Sequence, residues 1–141
     1  MINLLSILLS FIFLALSLLH IYWGFVGKQV GDRMVPTNEK MERVLNPNPI
    51  DCFIVGMGLF SFCFFVLARS GHINISLPKW LLNSGLWIIA GIFLLRAIGD
   101  FKYIGFFKRI KHSKFAKLDT QYFSPLCLLI ALLAIIIEIY K

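Results

Sequence analysis

Four long stretches of the chain carry almost no charge, and polar stretches dense in Lys and Arg lie between them. The first apolar run covers residues 2–26, is interrupted only by Asn3, Ser6, Ser10, Ser17 and His20, and closes in Tyr22-Trp23-Gly24. Further runs occupy 49–69, 78–99 and 122–140. A helix needs roughly 20 such residues to cross the hydrocarbon core of a bilayer. The pattern predicts an all-α chain, a single domain forming an integral membrane antiparallel four-helix bundle. Short connections favour packing between sequential neighbours.

The punctuation supports this division. Asn48 before Pro49 reads as a cap followed by proline at the first helical position, with Asp51 in the first turn where it suits the helix dipole. Gly71 reads as a C-terminal stop, and Gly56 and Gly58 would let a neighbouring helix come close. Ser76 and Pro78 open the third helix, Lys79 and Trp80 mark its interface, and Gly99 closes it. The fourth run has two readings. Ser124-Pro125 opens a helix of about 16 residues, roughly 24 Å long, or the helix begins near Thr120 and bends at Pro125. In the polar stretch 27–48, Val35-Pro36 breaks any helix, while 38–45 has the composition of a short surface helix. Residues 106–118 lack a narrow apolar face and read as an irregular segment at the lipid headgroups. The first run has no basic leader and exceeds the 7–15 residues, or about that, of a signal-peptide core, so it reads as a retained helix.

Composition changes the solvent. Of 141 residues, 59% are hydrophobic and 15% charged, whereas soluble domains average about 25% charged. The net charge of +7 accompanies no nucleic-acid motif. It points instead to the bilayer and to anionic lipid headgroups at the cytoplasmic face as partners. Ten of the 14 basic residues fall in loops 27–48 and 100–121, three lie on the other side, and Arg96 is inside the third helix. By the positive-inside rule both loops are cytoplasmic and both termini outside. Cys52, Cys63 and Cys127 form no metal-ligand spacing, so no metal and no cofactor are expected.

Polar groups in membrane helices are costly and ask for a reason. On this topology they gather at the cytoplasmic end: His20, Asp51, Arg96, Asp100, Asp119, Tyr122 and Ser124. Arg96 and Asp100 are spaced for a same-face pair, which makes a snorkelling arginine the bland reading. The functional reading turns Arg96 inward to hold an anion, with Asp100, His20, Trp23 and Tyr122 as further ligand contacts. His20 is the acid–base candidate, oriented by Asp100 or Asp119; otherwise it is a satisfied interfacial histidine. No carboxylate sits at mid-membrane, which argues against a proton-coupled carrier of the small four-helix multidrug type. Three classes remain: a binder of an anionic lipid or similar ligand, an enzyme acting on a lipophilic substrate, and an accessory subunit of a membrane complex. A homo-oligomer or a membrane partner is compatible with each.

Certain stretches also resemble a family. They are His20-Ile21-Tyr22-Trp23-Gly24, Val35-Pro36, the run from Arg96-Ala97-Ile98-Gly99-Asp100 to Gly105-Phe106-Phe107, Phe115 with Asp119, and Ser124-Pro125-Leu126-Cys127. Together they resemble a bacterial family catalogued as domain of unknown function 3995. The resemblance implies a small four-helix bacterial membrane protein with no agreed activity and supplies no catalytic residues; the bacterial inner membrane is the expected location.

Overall fold

Proline has no N–H to leave orphaned in a first helical turn, and helix α2 (Pro49–Arg69) begins on one. Asp51 accepts from the N–H of Asn48 at 3.0 Å and ties that turn. The helix closes in a Schellman motif, with the N–H groups of Gly71 and His72 donating to the carbonyls of Ala68 and Leu67. It is preceded by α1 (Ile2–Val26) and followed by α3 (Lys79–Ile98). Pro78, not Ser76, stands at the α3 cap, its carbonyl accepting from Leu81 and Leu82. The computed structural model describes residues 1–26 and 34–140, so Lys28 and Arg33 of the first basic loop, and Lys141, lie outside the described residues.

The fourth span starts farther upstream than either reading of the sequence. Helix α4 (Lys114–Leu118), a π-helical turn (Asp119–Phe123) and α5 (Ser124–Tyr140) follow without a break. Ser113 supplies the start, its hydroxyl accepting from the N–H of Ala116 at 3.0 Å. In the widened turn the N–H of Ser124 reaches back to the carbonyl of Asp119, one residue beyond the α-helical partner. Pro125 follows at once and has no N–H to be satisfied there. The stretch Lys114–Tyr140 is 27 residues, about 40 Å, so the span is not short for a bilayer.

Helix α1 packs mainly on α2, and α3 mainly on α5; lighter seams join α1 to α5 and α2 to α3. Gly56 explains the closeness of the first pair. A Cβ there would lie 2.9 Å from Ile21, and the Ser17 hydroxyl donates to the Gly56 carbonyl at 2.7 Å. Gly58 does not share this role, since a Cβ there would meet open space. The core fills the half of the bundle away from the basic loops. Phe13 is fully buried, tilted against Phe62 and Phe93 at centroid distances of 5.7 and 5.5 Å, with Leu9, Ile130 and Ile137 around it. Near that end Arg69 reaches both Glu138 oxygens at 3.3 Å and ties α2 to α5.

All four spans are long and apolar enough to cross a membrane, yet only 28–33% of each apolar window is buried inside the protein. Leu4, Phe11, Ile54 and Leu95 are among the side chains left on the outside. An apolar face of that extent needs an apolar solvent. The chain is an all-α helical bundle and a multi-pass membrane protein.

Segment 38–45 is not the short helix its composition suggested. Thr37 and Arg43 form an isolated antiparallel bridge, and the Asn38 side chain captures the N–H groups of Lys40 and Glu42, both at 2.9 Å. An asparagine that satisfies the backbone locally favours a turn over a helix, and Met41 takes φ 63°.

Candidate functional site

The chain leaving α3 turns on one carboxylate. Asp100 Oδ1 accepts from the N–H groups of Lys102, Tyr103 and Ile104 at 2.9, 2.7 and 2.9 Å. Partial burial pushes this carboxyl upward, but the three N–H groups outweigh it and hold the group below the usual carboxylate range. The loop then doubles back until Gly105 lies on the end of α3. Gly99 and Gly105 both take φ 88°, and a Cβ on Gly105 would collide with the Ile98 carbonyl. Only glycine combines that backbone with that approach.

This fold-back delivers Gly105 and Lys108 to Asp119, at the start of the π turn. Asp119 is completely buried and Lys108 is 2% exposed. Asp119 Oδ2 accepts from the Gly105 N–H at 2.8 Å and from Lys108 Nζ at 3.1 Å; Oδ1 accepts from the Arg96 guanidinium at 2.9 Å. Lys108 Nζ also donates to the Gly105 carbonyl at 2.8 Å and the Thr120 hydroxyl at 2.7 Å. An ammonium has three donors, and these partners use all of them. Two cations face one carboxylate, which leaves the cluster one positive charge. Arg96 is where that charge remains available. One of its terminal nitrogens holds Asp119, while the other is shielded from water and has no hydrogen-bond partner among the described residues.

Arg96 lies in the wall of a cavity of about 460 Å³ between α1, α2, α3 and the fourth span. His20, Trp23, Met34 and Cys127 are the other side chains of its wall that carry a heteroatom, and Phe62, Phe93 and Phe123 are typical of the rest. A smaller cavity of about 220 Å³ shares His20 and Trp23, runs beneath Val35 and Pro36, and reaches Asp51 and Cys52. His20 Nδ1 lies 2.8 Å from the Leu16 carbonyl. Because a carbonyl only accepts, Nδ1 carries the hydrogen of this contact. The ring meets Trp23 edge-on at 5.1 Å.

The structure therefore brings together Arg96, His20 and Trp23 around one cavity, with Asp119 buried behind Arg96. It does not bring Asp100 to Arg96: the carboxylate is occupied by the loop, and Arg96 crosses to Asp119 on another element instead. Tyr122 is 62% exposed, on the outside of the π turn, and does not line the cavity. Lys108 is the residue the sequence reading missed. It stood among Lys102, Arg109, Lys111, Lys114 and Lys117 as one more headgroup contact, and those five are exposed while it is not. Nothing in the spacing distinguishes it. Only the need of a buried Asp119 for partners on a neighbouring loop would have pointed there.

A family model described as "Protein of unknown function (DUF3995)" matches residues 13–134, a stretch that contains the whole Arg96–Asp119–Lys108 cluster. No curated protein and no solved structure matches the chain.

Proposed function

This chain belongs to the DUF3995 family, and we propose that it is a bacterial inner-membrane protein that binds an anionic lipid or lipophilic anion at its cytoplasmic end. The observation that carries the reading is Arg96, whose guanidinium is braced on one side by a buried carboxylate and on the other has no partner among the described residues, in the wall of a largely apolar cavity. A buried charge is tolerated when paired, and an entering anion would give the Arg96 guanidinium a second acceptor. The volume, about 460 Å³, is within the range of about 300–1,000 Å³ usual for small-molecule sites. The location agrees with orientation: the cavity is at the end that carries both basic loops, which the positive-inside rule puts in the cytoplasm.

The acid–base reading loses its orienting groups. Asp100 is engaged by loop N–H groups and Asp119 by Arg96, Lys108 and Gly105, while His20 leans on a backbone carbonyl. Binding asks nothing further of these residues.

The test is the lipid content of the purified protein by native mass spectrometry. Arg96→Ala should remove co-purifying anionic lipid. So should Gly58→Met, which extends a side chain into the open space at Gly58, in the cavity lining, without touching the ion cluster. Unchanged lipid in both variants would sink the proposal.

A further inference from the structure

Lys108 has no donor to spare, so an incoming ligand meets the charge of the cluster only through Arg96. Arg96 and Lys108 against Asp119 leave a single positive charge, and a desolvated site is most favourable when its charges balance. One negative charge balances it. A phosphate monoester brings about −1.5 to −2 at neutral pH, which would leave excess negative charge in an apolar cavity. Among the described residues Arg96 is the only Lys or Arg of the wall, and Phe62, Phe93 and Phe123 are apolar. The volume of about 460 Å³ suits a small amphiphile, within the range of about 300–1,000 Å³ of small-molecule sites.

We infer that the cavity takes a single-chain amphiphile with a monoanionic head, a long-chain carboxylate, its head on Arg96 and its chain along the apolar wall. This rests on the binding function proposed above and narrows it. Charge balance at Arg96 makes the site discriminate a fatty carboxylate from its neutral ester and from the corresponding dianionic alkyl phosphate.

Trp23, in the cavity wall, is a built-in reporter. The protein has three tryptophans, and replacing the exposed Trp80 and Trp87 by Phe leaves Trp23 alone to fluoresce. In neutral detergent, this protein is titrated with dibrominated stearate, its methyl ester and a brominated alkyl phosphate of equal length. Stearate should quench saturably and bind about tenfold or more tighter than the ester, the worth of one charge-assisted hydrogen bond, and at least as tightly as the phosphate. Arg96→Gln should remove the preference for acid over ester. Equal binding of acid and ester, with both abolished by Gly58→Met, would overturn the monoanion inference and leave the cavity in place as the site. Tighter binding of the phosphate would overturn it likewise. Quenching that Gly58→Met does not change would overturn the cavity reading itself. The ligand comparison is made on a protein with an intact ion cluster and does not depend on the Arg96 variant folding.

Discussion

Lys108 and Asp119 are the most deeply buried charged side chains of the cluster, and they are not equivalent. Removing the carboxylate strands two cations in a water-poor site, whereas removing Lys108 leaves Asp119 still paired with Arg96. Losing the shared partner of a buried pair costs about 3–5 kcal/mol. Losing Lys108 leaves hydrogen-bond acceptors unfilled, at about 1–3 kcal/mol. Asp119→Asn should therefore lower the unfolding temperature in detergent clearly more than Lys108→Met. The reverse order would mean that Asp119 is not the hub. At this scale the sequence was informative about Arg96, His20 and Trp23, because a charged or polar residue inside an apolar run stands out. It was silent on Lys108, because a lysine among lysines does not. It misdirected the Arg96–Asp100 pair because helical spacing counts neighbours along one helix. Asp100 lies beyond the end of α3, where its carboxylate serves the turning backbone instead.

Between residue and bundle stands the loop that folds back on α3. Its geometry depends on Gly105, whose positive φ and contact with Ile98 no Cβ can share. Gly105→Ala should destabilise the protein by more than about 1 kcal/mol, and the displaced N–H would also loosen Asp119. Gly91→Ala is the control, since a Cβ there meets nothing within 4 Å and alanine is the better helix former. Thermal unfolding of the two variants side by side checks this; equal melting would remove the loop from the account. The same scale holds the clearest gap between pattern and structure. Hydropathy marks the apolar part of the fourth span and cannot see its amphiphilic beginning. Residues 114–118 are helical because Ser113 caps them and Phe115 and Ala116 are buried, which is a matter of what packs against them.

For the molecule as a whole, the proposed orientation rests on the asymmetry of its basic loops. Reporter tags at both ends should be reachable from the outer side of the membrane and not from the cytoplasm; cytoplasmic access alone would reverse the proposed topology. The two helix pairs, α1 with α2 and α3 with the fourth span, close tightly around Phe13 at one end and leave the cavity at the other. The number of spans and the place of the apolar runs were readable from the chain, the start of the fourth span excepted, because transfer of apolar side chains into lipid is a local and additive property that a run of residues carries with it. Which polar residues meet was not readable in that way. The Arg96–Asp119–Lys108 cluster and the cavity beside it depend on a π turn, a glycine-permitted fold-back and the space left between two helix pairs. Those are properties of pairs of elements distant in sequence, and their energies arise only once the helices have packed.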